Sequence, residues 1–174
     1  LLERETYIER NGEEYSYLTS DEKTIEQQIK NTQIEDSAIA DELDKLMFGY
    51  NDFLKTKIRH DESSQDFAYS RKVDDRAYGK AQELTIQLIT PNYQYYDNEI
   101  QLKANSMGKA ELLIVLPADN RFWEDLALYK KTEKYCTQQA MTSISDSTRL
   151  IVAAKQQQNT SRMTAIKKRF NELI

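Results

Sequence analysis

At 174 residues, with 39% hydrophobic and 30% charged, the chain is long enough for one good core, or a small subdomain plus a main one, and lies outside the disordered class. Four glycines and two prolines predict long elements and short loops and argue against glycine-rich phosphate loops. A single cysteine excludes an internal disulfide and suits a reducing compartment.

The net charge of −5 hides an asymmetry. Through Asp52 there are fourteen acids against five bases, and from Ser147 onward six bases against one acid. No apolar run approaches the ~20 residues needed to span a bilayer; Leu112 to Pro117 is only strand-sized. A cytoplasmic location without a membrane partner is the expectation.

The chain opens without an initiator Met, directly in a hairpin, and reads as the tail of a larger structure. Tyr7 and Ile8 precede Asn11-Gly12, and Tyr15, Tyr17 and Leu18 follow. Asn-Gly between β-formers is a strong hairpin signal, because both turn residues must accept positive φ. Thr19-Ser20-Asp21-Glu22 then spells a capping box, predicting a helix over 19–31 with Ile25 and Ile29 on one stripe. A second helix is expected at about 36–49, from the spacing of Ala38, Ile39, Leu43, Leu46 and Met47, with Gly49 suited to a left-handed cap.

From Phe53 the period shifts toward two. Residues 53–59 and 67–73 read as a pair of strands, 74–79 as a loop, and 83–90 as a strand ended by Pro91-Asn92. Ile100 to Ala104 reads as a short strand, and the nearly all-apolar run from Ala110 to Leu116 as a central strand covered on both faces. A helix follows Asp119 or Asn120, runs to about Ala140, and carries Phe122, Leu126, Tyr129 and Cys136 on one stripe. The last helix, from about 146, is apolar at both ends and polar through 155–162, so it is expected to pack only at its ends.

Few residues suggest chemistry. His60 beside Asp61 and Glu62 could serve as a base or ligand, but no second His or Cys completes a zinc set. Cys136 sits on the apolar stripe and reads as a buried structural thiol. Asp74-Asp75 lacks a calcium-loop spacing and reads as an ordinary turn. Tyr93, Tyr95 and Tyr96 could stack bases, but their surroundings are not basic and packing against the sheet is the simpler reading. The basic C-terminal helix is the remaining candidate. Arg162, Lys167, Lys168 and Arg169 could contact nucleic acid or a partner, or could simply answer the helix dipole. No catalytic, metal or cofactor residue is assigned.

The opening LLERETYIERNGEEYSYLTSDEKTIEQQI resembles the wing and following helix found after the ATPase core in the large P-loop ATPases of bacteriophage-exclusion (BREX) systems. Residues 15–22 stand where that family closes a winged-helix-like module. The stretch LIVLPADNRFWEDLALYKKTEKYC (113–136) is similar to its strand, Leu-Pro turn and helix, and RLIVAAKQQQNTSR (149–162) to the helix after it. The resemblance implies an internal piece of a much longer cytoplasmic prokaryotic ATPase acting around DNA in phage defence. ATP and Mg would then be bound upstream of Leu1, with no cofactor in the present segment.

The expected fold is α+β: an N-terminal hairpin wing with two connector helices (1–50), then an α+β domain (51–174) with a mostly antiparallel sheet of four or five strands and two C-terminal helices. The expected role is a non-catalytic scaffold that couples the ATPase core to other defence subunits or to DNA. The alternative is a direct DNA-binding winged-helix-like module. That reading is weakened by the hairpin's own charge, Arg4 and Arg10 against Glu3, Glu5, Glu9, Glu13 and Glu14.

Overall fold

In a computed structural model of the chain, residues 8–11, 14–49 and 57–174 are described. They form an α+β protein that divides into two compact units. One comprises Leu1–Asp36 with Asn120–Asn171, the other Ser37–Asp119 with Glu172–Ile174. The two expected connector helices are thereby shared out, one to each unit.

The first unit begins with the antiparallel hairpin β1 (Ile8–Asn11) and β2 (Glu14–Tyr17), with Ile8 opposite Tyr17. Gly12 of the Asn-Gly turn lies outside the described residues. Helix α1 (Ser20–Asn31) starts where the capping box places it. The Thr19 backbone N–H donates to Glu22 Oε2 at 2.8 Å, and the Glu22 N–H donates to Thr19 Oγ1 at 3.4 Å. The Thr19 backbone N–H foremost, and the Thr19 hydroxyl donating to the same Oε2 at 2.7 Å, hold the Glu22 carboxyl below its ordinary pKa. The cap is therefore fully formed above the usual carboxylate range and lost as pH falls through the lowered value. Thr19→Ala should cost about 1 kcal/mol near neutral pH and less in acid, as read by urea unfolding at both pH values. Equal losses at both would separate the stabilisation from the Glu22 charge.

Helix α4 (Asn120–Ala140) and helix α5 (Asp146–Leu173) complete this unit. Ile25 and Ile29 of α1 cluster with Tyr135, Cys136 and Val152. Phe122 stacks on Phe170 with centroids 5.9 Å apart. The expectation of an α5 wet in its middle is not met. Its buried stripe runs unbroken through Val152, Lys155, Asn159, Met163, Ile166 and Phe170, at the i+3/i+4 spacing of one helix face. Two polar residues occupy the middle of that stripe because each finds a buried partner.

The second unit begins with α2 (Asp36–Asp44), which widens into a π-helical turn over Lys45–Gly49. Gly49 is the last residue of that turn and has no positive φ, so the helix does not end in the expected left-handed cap. Next come β3 (Lys57–His60), β4 (Gln65–Val73), β5 (Arg76–Tyr78), β6 (Leu84–Ile89), α3 (Glu99–Ser106) and β7 (Glu111–Val115). Residues 53–56 of the expected first strand lie outside the described residues.

The sheet is mixed, not mostly antiparallel. β3 and β5 pair antiparallel to β4, but β4, β6 and β7 run parallel. Two extra reversals explain this. β5 folds back on β4, and residues 79–83 then return the chain to start β6 in β4's direction. Ser70 receives that crossing strand, its Oγ accepting from the Gln82 N–H at 2.6 Å.

Between β6 and β7 the crossover is helical, the usual link for a parallel pair. The segment expected as a short strand at 100–104 therefore lies in α3. Asn98 caps it through the Gln101 N–H, Leu102 is buried and Ile100 is exposed. After the helix, Gly108 takes φ 77°, a conformation that a β-carbon would strain.

Strand order is β3-β4-β6-β7, which puts β7 at an edge among the described residues. The apolar run expected to be central is thus half open, with Leu112 56% and Val115 48% exposed. The buried strand is β6, where Leu88 is 0% and Ile89 1% exposed. No helix among the described residues is long and apolar enough to cross a membrane.

Candidate functional site

The four basic residues singled out from the sequence all lie on α5, but they do not form one patch. Seven residues separate Arg162 from Arg169, so both sit on the same flank of the buried stripe. Lys167 falls on the opposite flank, and Lys168 points away from the stripe altogether. Arg162 also donates to Asn159 Oδ1 at 2.7 Å. Lys168 and Arg169 are exposed, whereas Arg162 and Lys167 are half-buried.

Beside them lies a polar seam that holds α1, α4 and α5 in register. Lys155 Nζ meets Glu26 Oε2 at 2.9 Å, with only 5% and 7% of the two side chains exposed. Asn159 Nδ2 donates to the Tyr129 carbonyl at 3.0 Å. From α4, Lys131 and Lys134 each donate at 2.8 Å to the carbonyls of Lys30 and Gln33, at and just beyond the end of α1. Cations suit that end of a helix, where backbone carbonyls lack intrahelical partners. The Tyr135 hydroxyl donates to Gln28 Oε1 at 2.7 Å.

Between α4 and α5 a groove of about 500 Å³ is lined by Tyr129, Glu133, Cys136, Met163 and Lys167, among others. Cys136 is buried as expected, and burial pushes its thiol pKa up. A thiol shifted that way is a poor nucleophile.

The second unit holds a mixed charged and aromatic cluster on one face of its sheet. The π turn presents Phe48, whose ring lies 6.0 Å from Tyr69 and beneath the Arg71 guanidinium at 5.5 Å. Arg71 reaches Asp44 at 3.2 Å. Asp41 accepts from the Tyr78 hydroxyl at 2.8 Å and pairs with Arg76 at 3.5 Å. Burial raises the pKa of Asp44 while Arg71 opposes the rise. Arg71 and Arg76 each face an acid of α2, so the cluster fastens α2 to the strands, while Asp44 Oδ1 is buried without a hydrogen-bond partner. A cavity of about 280 Å³ opens beside Tyr69, Arg71, Tyr78 and Lys80.

The opposite face is polar too. Lys72 pairs with Glu111 at 3.3 Å. Asp74, at φ 50°, accepts from the Thr90 N–H and Thr90 hydroxyl, each at 2.8 Å. The expected loop aspartate is thus a half-buried anchor for the chain leaving β6, and burial raises its pKa.

His60 closes β3, with Nδ1 3.0 Å from Ser63 Oγ in the turn that follows. The full length of β4 separates it from Asp74 and Asp75, roughly 30 Å at strand rise, so these three cannot build one site. No group of three or more His, Cys, Asp or Glu able to hold a metal occurs among the described residues. Tyr93 and Tyr95 meet edge to face at 5.9 Å and are half-buried, a packed pair and not an open stacking platform.

Sequence reading missed the Glu26–Lys155 pair. The signal was present: Lys155 falls on the 3-4 stripe of α5, and Glu26 stands between Ile25 and Ile29 on the buried face of α1.

One family model, described as the fourth domain of the BREX ATP-binding protein BrxC with a six-stranded beta sheet, matches residues 32–174. No solved structure matches the chain.

Proposed function

The chain belongs to the family of the fourth domain of the BREX ATP-binding protein BrxC, and so to a component of phage defence; on that premise we propose a non-catalytic coupling segment. It links the parent's ATP-binding part to partner subunits or to DNA. The observation that carries this reading is the family match itself, since a fourth domain of an ATP-binding protein stands apart from the nucleotide chemistry. The register-locked seam of α1, α4 and α5 supports it. Buried polar bonds fix the 28-residue helix α5 against α1 and α4.

Arg162, Lys167, Lys168 and Arg169 are the contact residues of this proposal. Exposure makes it specific: Lys168 and Arg169, both exposed, carry the contact, and the half-buried Lys167 contributes least. In the full-length protein, Lys168→Glu with Arg169→Glu should weaken partner or DNA capture about tenfold, and Lys167→Glu alone should change it little. If reversal of all four charges leaves both kinds of binding unchanged, α5 is not the contact surface.

A second reading is direct DNA binding through the hairpin as a wing, favoured by the β1–β2 pair placed immediately before α1. Arg4 and the Arg10 side chain, which such a wing would use, lie outside the described residues. Mobility-shift titration of the chain at several salt concentrations separates the readings. Tight binding that falls steeply with salt supports the wing, and weak binding throughout supports the coupling role.

A further inference from the structure

The outer edge of β7 carries a set of unused backbone groups with an unusual side-chain complement. The Thr85 N–H donates to the Ala110 carbonyl and the Leu116 N–H to the Ile89 carbonyl, each at 2.9 Å. Alternation along a parallel ladder therefore turns the backbone groups of Leu112 and Ile114 toward β6. Those of Glu111, Leu113 and Val115 face away from the sheet. No strand pairs with that side among the described residues.

Edge strands are normally blunted by charge, proline or a bulge. β3 follows that rule, offering Lys57, Arg59 and His60. β7 does not. It reads Glu-Leu-Leu-Ile-Val, with Leu112 and Val115 about half exposed. Its one charge, Glu111, is already answered by Lys72 at 3.3 Å, with its side chain 6% exposed.

We propose that this edge pairs with the same edge of a second copy of the chain, antiparallel and centred on Leu113. The register fits on both counts that matter. Leu113 meets Leu113 of the second copy, and Glu111 meets Val115 of the second copy. Every outward-facing residue therefore finds an outward-facing one and can exchange both hydrogen bonds. Leu112 falls opposite Ile114 of the second copy, which covers the more exposed leucine on the other face. The two Glu111 carboxylates are not placed opposite each other, so the arrangement carries no like-charge penalty. A heterologous strand would have to supply both the apolar alternation and the uncharged position opposite Glu111. The chain's own edge already supplies them.

This pairing stands apart from the coupling role: a strictly monomeric chain overturns it and leaves the coupling proposal untouched. Five residues per strand make a small interface, so the dimer is a weak one. Sedimentation velocity from about 10 to 500 µM should show the weight-average mass rising with concentration toward that of two chains. Val115→Glu, which sets a carboxylate opposite Glu111 of the second copy, should weaken association at least about tenfold. Leu112→Lys should do the same by blunting the edge. Val115→Lys sets an ammonium opposite that same Glu111 and should retain more association than Val115→Glu. Circular dichroism and thermal melting monitor folding of each variant, and the substituted side chains are exposed enough for all three to fold. A single monomeric species at every concentration, as a strand of the same chain seated on this edge would give, refutes the proposal. So does a Val115→Glu variant that associates like the parent.

Discussion

Replacing Lys155 by Ala should destabilise the chain by about 3–5 kcal/mol, because it leaves the Glu26 carboxylate buried without its counter-charge. Both side chains are more than nine-tenths covered, so water does not take over the lost interaction as it would on the surface. Removing the pair together is a different experiment. Glu26→Leu with Lys155→Met keeps similar volume and buries no charge, so it should be neutral or stabilising by about 1–4 kcal/mol. The contrast separates two roles for the seam. If the double variant is stable and its helices keep their register, the charges contribute specificity at most. If it is stable but loses fixed near-ultraviolet ellipticity, the pair specifies how α1 meets α5. Equilibrium urea unfolding gives the first answer, and a loss under about 1 kcal/mol for Lys155→Ala would show that the site hydrates when opened.

Leu88→Ala should cost about 2–5 kcal/mol, the range for a fully buried leucine whose cavity cannot collapse. Leu88 lies in β6, between β4 and β7, and is 0% exposed. Leu112→Ala, one strand over, should cost no more than about 0.5 kcal/mol, since more than half of that side chain is already in water. The comparison tests which strand is central. Equal losses at the two positions would mean that β7 is covered in solution, which denaturant titration at low and high protein concentration would trace to self-association.

The sequence made some levels of this structure legible and not others. Local chemistry was readable: the Thr19–Glu22 box, the antiparallel hairpin, the limits of α4 and the start of α5 all rest on side chains acting within four residues. Strand direction was not. Alternation in Leu84, Ile86 and Leu88 reports which residues are buried, yet it is the same for a parallel and an antiparallel neighbour. Direction depends on reversals made elsewhere, by the three residues of β5 and by α3. The uniformly apolar stretch in β7 suggested burial on both faces because that is the usual reason for such a run. Here β6, with the buried polar Gln87 in its middle, takes the centre instead.

The contact residues proposed on α5 were legible as a charge excess, but its geometry was not. Periodicity scatters the four bases around the helix, and only the buried stripe shows which of them can act together. Lys155 was misread for a related reason. A lysine in a polar stretch passes for surface until its partner, far away in sequence, is known.

That distance sets the order in which the protein can be completed during synthesis. Glu26 and Lys155 are 129 residues apart, and the lysines that close α1 are 101 residues from their carbonyls. At about 5–20 residues per second, α1 leaves the ribosome roughly 6–26 s before the strand of chain bearing its counter-ion. All of Ser37–Asp119 emerges in that interval and can close its sheet first. The helices before and after that insert can meet only once it has been made, which makes the first unit the later of the two to be completed.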